Sequence, residues 1–331
     1  MKSIVESFPQ QLEESIQIAS NWKLESQRRG FKNVLVCGLG GSGIGGTILS
    51  ELVSDKCSIP VAVSKTYNIP GWADSDTLMI ACSYSGNTEE TIESFGQARA
   101  KGLEIAAITS GGKLEELCAE INAPVVKIPA GLPPRGAFGF PIVQLLNILR
   151  QYELTDSSLY DQLPPAATFL AREQENIRRR AQELTEKLHG KITVLYGDAD
   201  IEGVLVRFRQ QINENSKMLC WHHVYPEMNH NELVGWTKED DQLAVVTFHT
   251  SQDHRSVSKR MEICNGVYRR YTPHVFDVKA EGANHLEEVF YLIHLGDFIS
   301  VMLAEKKGID PVEVNIITHL KGELAKFNAE G

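Results

Sequence analysis

Three observations predict an α/β fold for this chain, built as two three-layer αβα units that each hold a parallel sheet flanked by helices, with additional N- and C-terminal helices. Apolar strand-like runs alternate with helical segments. Glycine-rich or hydroxyl-rich turns follow the strands and open the helices. The second half of the chain repeats the strand–turn–helix opening of the first. The 331 residues suffice for one large or two ordinary domains with substantial cores, and 42% are hydrophobic. The formal net charge of −10 lacks the basic footprint of a nucleic-acid binder, and the runs QRRG and IRRRA are short and adjoin acidic residues. No partner nucleic acid is expected.

Taken in order, a polar helix is expected over about residues 10–29, then a strand Asn33–Cys37 that enters the glycine loop GLGGSGIGG. The helix beyond is expected from near Gly45 to about Leu52. Strands Val61–Ser64, Thr77–Cys82, Glu104–Thr109 and Pro124–Ile128 alternate with helices Glu89–Lys101 and Lys113–Ala119, a pattern that implies a parallel sheet covered on both faces. Residues 1–150 are read as the first, phosphate-binding unit. Residues 151–190 form a charged helical linker whose run QENIRRRAQELTEKLHG ends at a glycine suited to a helix C-terminus. Residues 191–331 are read as the second unit, restarting with strand Ile192–Tyr196, the turn GDADIEG and helix Val204–Lys217.

The repeat extends further, because the segment from Asp241, DQLAVVTFHTSQD, lies over the segment from Asp76, DTLMIACSYSGNT. Where the first copy offers SYSGNT, the second offers FHTSQD, which lacks the turn glycine and has aspartates nearby. Only the first copy is expected to bind phosphate. No apolar run approaches the ~20 residues that span a bilayer, and the N-terminal MKSIVESFPQQLEES has no signal-peptide core, so a cytoplasmic location is expected. Six scattered cysteines without a C-x-x-C pair read as reduced, mostly structural thiols, with Cys82 and Cys220 weighed as nucleophiles and each lacking an adjacent base in sequence.

The segment TLMIACSYSGNTEET is the most informative chemistry in the chain. Ser83, Ser85 and Thr88, the Gly86 turn and the free N–H groups of the following helix form a phosphate cradle that needs no lysine. GLGGSG, from Gly38 to Gly43, matches a dinucleotide fingerprint, but the second strand ends in Ser64-Lys65 rather than an acidic ribose ligand. The competing reading lets Gly40, Gly41 and Ser42 bring the backbone close to a sugar and its phosphate. In GLPPRGAFGFP a proline-bounded loop presents Arg135 to an oxyanion or phosphate. In QQINENSKMLCWHHVYPEMNHNELVGW, read as a helix and following turn, Glu214 and His230 make a candidate acid–base pair. A metal reading of His222, His223, Glu227, His230 and Glu232 fits neither H-E-x-x-H nor a two-histidine helical spacing.

With GLGGSGIGG, SYSGNTEET, PPRGAFG, NENSK, NHNELVGW and a C-terminal HLKGEL after Asp310-Pro311, the chain resembles the sugar isomerase (SIS) superfamily, and within it the bifunctional phosphoglucose/phosphomannose isomerase family. The resemblance covers nearly the whole chain. It implies that Gly41, Ser42, Ser83, Ser85 and Thr88 hold a substrate phosphate, that Glu214 moves a proton between C2 and C1, and that Arg135 stabilises the enediol. It also implies that His230 helps open the sugar ring, in a dimer whose histidine turn completes the partner's site, and that Lys321, with Lys326 and Lys306–Lys307 as neighbouring choices, assists. The expected activity is interconversion of glucose 6-phosphate and mannose 6-phosphate with fructose 6-phosphate, with no metal or organic cofactor. A non-catalytic phosphosugar sensor on the same fold is the rival reading. It has no need of Glu214, Arg135 and His230 together.

Overall fold

The computed structural model describes residues 1–24 and 30–330. Helices α1 (Lys2–Glu6) and α2 (Phe8–Asn21) open the chain, with Pro9 in the first turn of α2, where its missing N–H costs nothing. The helix expected over about 10–29 begins earlier and stops at Trp22, whose extended backbone follows the helix and whose indole N–H donates to Val125 O at 3.0 Å. Positions 25–29 of that expectation lie outside the described residues.

The first unit runs β1 (Asn33–Cys37), α3 (Gly40–Leu52), β2 (Val61–Ser64), β3 (Thr77–Cys82), α4 (Glu89–Ala100), β4 (Glu104–Thr109), α5 (Gly112–Ile121), β5 (Val125–Lys127) and α6 (Gly139–Gln151). All its strand pairs are parallel, in the order β2-β1-β3-β4-β5. Strand β3 is central and buried at every position, as its unbroken apolar run requires. Helix α3 starts at Gly40, not near Gly45: Leu39 is extended, and its carbonyl accepts from both Ser42 N and Gly43 N, closing a helical turn inside the glycine run. Helix α6, which the sequence reading passed over, is buried along nearly its full length and packs on α2 and α3.

The chain continues through α7 (Leu163–Leu188), β6 (Ile192–Asp198), α8 (Glu202–Ser216), β7 (Cys220–Tyr225), β8 (Leu243–His249), α9 (Arg255–Tyr268), β9 (Val275–Lys279), α10 (His285–Lys307) and α11 (Asn315–Glu330). The second sheet is again parallel, in the order β7-β6-β8-β9. The stretch CWHHVY is therefore a strand rather than part of a helix and turn. Lys217 ends α8 in the left-handed conformation, and the aromatic and β-branched residues beyond it suit a sheet edge.

One apolar core joins the units: α3 of the first meets α8 of the second, with α6 packed on α3 and α10 on α8, burying Ile48, Leu145, Phe208 and Phe298 together with sheet residues Val36 and Leu195. Smaller clusters cover the outer faces, Leu35 and Met79 under α4 and α5, and Val194 and Tyr196 under α9. The site described below lies where the shared core reaches the carboxyl ends of the first sheet's strands and the last turn of α8. No helix among the described residues is long and apolar enough to cross a membrane. All six thiols are unpaired; burial pushes Cys220 up to about 12 and Cys82 further still, so neither is a thiolate at neutral pH.

Candidate active site

Three loops meet at the ends of the first sheet's strands. After β3, Ser83 Oγ and Thr88 Oγ1 lie 2.8 Å apart, and Ser85 Oγ accepts from Asn87 N at 3.2 Å. Gly86 turns the chain with φ +69°, and a Cβ there would lie 1.7 Å from Gly111 O, so only glycine fits. Thr88 immediately precedes α4, at the N-terminal end of that helix. Ser83 is buried, Thr88 half-buried and Ser85 exposed, a gradient from fixed to open hydroxyls.

The glycine loop is fastened to this turn from above. Ser42, in the first turn of α3, accepts from Tyr84 N at 3.1 Å. The third loop follows β5, and Tyr84 secures it too: its hydroxyl donates to Pro129 O at 2.9 Å and accepts from Leu132 N at 2.9 Å. Gly41 explains much of the glycine run. A Cβ on it would sit 2.8 Å from Pro134 O and 3.0 Å from Arg135 N, so the arginine loop rests directly on the backbone of α3. The glycines are used for contact between loops, and the second strand's Lys65 lies near Glu51 and Glu202.

Arg135 sits in the short turn Pro134–Gly136 and is 6% exposed. Its Nη1 is 3.3 Å from Glu214 Oε2, its Nε donates to Asn215 Oδ1 at 2.7 Å, and its Nη2 donates to Pro311 O at 2.5 Å. Burial pulls the guanidinium below its usual value while Glu214 and Asp310 oppose that shift, and the group stays charged. Glu214 lies in the last turn of α8, so the pair spans the two units. Glu214 keeps about a third of its side chain exposed (30%).

Beneath the pair lies a buried polar layer. Arg207 donates to Asp297 Oδ2 at 2.6 Å and to the carbonyl of Arg135 at 3.0 Å, and Gln211 donates to Asp297 Oδ1 at 2.8 Å. Burial raises the Asp297 carboxyl and Arg207 opposes it. Removing one partner of such a buried pair costs about 3–5 kcal/mol. Lys217 Nζ donates to Glu214 O, Asp310 O and Glu313 O at 2.7, 3.0 and 2.6 Å, tying the segment before α11 to the end of α8. Sequence reading missed these supports. Two signals were available: residues 207, 211, 214 and 215 recur on one face of α8, and Asp297 interrupts the apolar run of α10.

His230 and Lys321 are placed elsewhere in the chain. Among the described residues, neither is a hydrogen-bond or ion-pair partner of Arg135, Glu214 or the serine turn. His230 is exposed in the turn Glu227–His230, which is anchored through Met228 to the outer face of the second sheet, whereas α8 covers the inner face. Lys321 is exposed on α11, along with Ile316, Leu320, Leu324 and Phe327. The residues weighed as a metal set diverge: His222 faces Glu202, Glu232 accepts from Tyr196, and Glu227 accepts from Asn231. Among the described residues no group of three or more His, Cys, Asp or Glu side chains is arranged to hold a metal.

Two parallel αβα units joined through one core, with a serine-lined turn beside an arginine–glutamate pair, define a phosphosugar isomerase of the SIS superfamily. The family model described as the bacterial phospho-glucose isomerase C-terminal SIS domain matches residues 177–324. The bifunctional phosphoglucose/phosphomannose isomerase of Caldicellulosiruptor bescii is 37% identical, covering 98% of this chain and 98% of its own length. That of Aquifex aeolicus is 34% identical over 89% of this chain and 91% of its own. The chain therefore belongs to the bifunctional phosphoglucose/phosphomannose isomerase family. The crystal structure of glucosamine-6-phosphate deaminase from Thermotoga maritima shares the fold, with a TM-score of 0.72 at 15% identity over 93% of this chain and 96% of that one.

Proposed function

We propose that the protein interconverts glucose 6-phosphate and mannose 6-phosphate with fructose 6-phosphate by ring opening and proton transfer through a cis-enediol. The observation that carries this reading is the Arg135–Glu214 contact of 3.3 Å, formed across the two units on a loop that rests against Gly41 of α3 and is tied to the serine turn by Tyr84. Ser83, Ser85 and Thr88, with the backbone of Gly41 and the buried Ser42, hold the phosphate. Glu214 removes the C2 proton of the open-chain aldose; the electron pair forms the C1–C2 double bond, and the carbonyl oxygen takes up negative charge. Arg135 faces that charge, in a dry setting where a fixed cation is most effective. The enediolate O1 takes up a proton as the C2 hydroxyl gives one up, and the protonated Glu214 returns its proton to C1, so the C1 hydroxyl and the C2 carbonyl form together. Glucose and mannose 6-phosphates differ only at C2, and the enediol erases that difference.

Ring opening is assigned to His230 and Lys321, and the placement of His230 supports a shared site. It stands on the face of the second sheet opposite Glu214, so a homodimer in which the histidine turn reaches the partner's Glu214 brings the two together. Mixing inactive Glu214→Gln and His230→Ala proteins in equal amounts under conditions of subunit exchange should restore about a quarter of the wild-type activity, read as fructose 6-phosphate formed. No recovery with exchange demonstrated would place both groups on one chain.

The activity itself is tested by offering glucose 6-phosphate and, separately, mannose 6-phosphate to EDTA-treated protein and measuring fructose 6-phosphate. Turnover of both is expected. Tight phosphosugar binding with turnover of neither would move the protein to the sensor reading.

A further inference from the structure

We infer that Asn215 is a positioning residue for the Arg135 guanidinium, setting the plane of the group through its Nε hydrogen bond and being held in turn by Ser300. The inference rests on the proposed role of Arg135 opposite the enediolate. A guanidinium presents its donors along fixed edges of one plane, so its aim depends on rotation about the side-chain bonds next to that plane. In this site the Nε edge meets Asn215 Oδ1 at 2.7 Å and the Nη2 edge meets the carbonyls of Pro311 and Val312 at 2.5 and 3.3 Å. Nη1 remains directed at Glu214.

Asn215 is fully buried, and its amide orientation is decided by its neighbours. Arg135 Nε can only donate, so the amide oxygen must face it. The amide nitrogen donates to Ser300 Oγ at 2.9 Å, and the Ser300 hydroxyl donates onward to Asp297 O at 2.7 Å. The chain of donors therefore runs in one direction, and a flipped amide would set N–H against N–H. Because Asn215 follows Glu214 on α8, one helical turn carries both the proposed base and the group that aims its cationic partner. Arg207 holds the Arg135 backbone carbonyl as well, which leaves the side-chain plane as the remaining freedom, and Asn215 fixes it at the Nε edge while the Pro311 and Val312 carbonyls take the Nη2 edge.

The test uses the full-length Asn215→Leu, Asn215→Asp and Ser300→Ala proteins, assayed for isomerisation and for affinity toward glucitol 6-phosphate, which has the phosphate but no carbonyl. Asn215→Leu should lower kcat about 100-fold while KM and glucitol 6-phosphate affinity stay within about 3-fold, the signature of misaim rather than lost binding. Asn215→Asp keeps an acceptor for Nε and should stay within about 10-fold of the parent. Ser300→Ala removes the acceptor that holds the Asn215 amide nitrogen, loosens the amide and should lower kcat about 10-fold; it touches neither Arg135 nor substrate and serves if the leucine variant fails to fold. In an Arg135→Lys background, which has no Nε edge, Asn215→Leu should add less than about 3-fold. Wild-type kcat in Ser300→Ala or Asn215→Leu, equal losses in the leucine and aspartate variants, or full additivity with Arg135→Lys would each overturn the inference. If Arg135→Lys alone retains full turnover, the role of Arg135 fails instead.

Discussion

The turns after β3 and β8 are built on the same plan and end in opposite chemistry. In the first, hydroxyls face one another: Ser83 and Thr88 pair at 2.8 Å. In the second, carboxylates have already taken the donors. Thr250 N and Oγ1 both donate to Asp253 Oδ1, at 3.1 and 2.8 Å, and Ser251 N and Oγ donate to Glu288 at 2.9 and 3.0 Å. His254 N, at the start of α9, donates to Asp198 at 3.3 Å. Burial raises both Asp198 and Asp253 above the usual carboxylate range, as expected for anions gathered in one enclosed place. A strand–turn–helix unit supplies donors wherever it occurs, and its ligand depends on whether the chain also supplies the anion. The second turn carries its own, which leaves the first as the proposed place for an external dianion.

The sharpest break of that division is chemical. Glu214→Gln should lower turnover by about 1,000-fold or more while phosphosugar affinity stays nearly unchanged, because it removes proton transfer and leaves the first turn intact. Near wild-type turnover would remove Glu214 from the mechanism. The complementary change is Ser83→Ala with Thr88→Ala, which should raise KM and weaken inorganic phosphate binding about 100- to 10,000-fold, from two hydrogen bonds to a charged group worth about 1.5–3 kcal/mol each. Equal phosphate affinity in titration calorimetry would place the dianion elsewhere.

The contrast between the turns was legible in the sequence, since SYSGNT and FHTSQD differ in the glycine and the acids that decide it. So was the parallel α/β architecture, because strands buried on both faces read as continuous apolar runs, as in Thr77–Cys82. What escaped lay in long-range pairing. Helix α10 is buried all round and lacks the amphipathic stripe by which a helix is recognised, and α6 buries even its polar Gln144 and Asn147. The start of α3 was obscured because glycine is a poor helix former, and only the packing of Gly41 against Pro134 shows why glycine stands there. Arg135 and Glu214 could be nominated singly, but their contact, and the Arg207–Asp297 pair beneath them, depends on how two units separated by many residues close on each other.

The joint between the units offers a smaller effect. Glu51, at the end of α3, accepts from Gly203 N at 2.7 Å at the start of α8. Burial pushes its carboxyl from 4.5 up to about 8; Glu202 and Asp200 add to the rise, and the Gly203 N–H and Lys65 oppose it. An acid whose value is higher folded than unfolded holds its proton more tightly in the native state. Its effect is therefore a loss of stability as pH rises from about 4.5 to about 8, level beyond. Glu51→Gln should flatten that slope and stabilise the protein at pH ~8.5 by on the order of 1–3 kcal/mol, measured by urea unfolding on either side of the window. Equal slopes in both proteins would mean that the carboxylate is solvated at the joint.

The smallest expected change in binding comes from Glu288→Ala. Glu288 lies in the first turn of α10, and its loss leaves the Ser251 N–H and hydroxyl without their charged acceptor. Stability should fall by about 1–3 kcal/mol. The vacated donors resemble a phosphate cradle, yet Asp198 and Asp253 still face the second turn, and their repulsion should keep a phosphate out. Calorimetric titration with phosphosugar should therefore still give one site per chain, with the affinity of the first turn unchanged. A second site would show that Glu288 alone closes the turn, and that the difference between the two units rests on one carboxylate from a neighbouring helix.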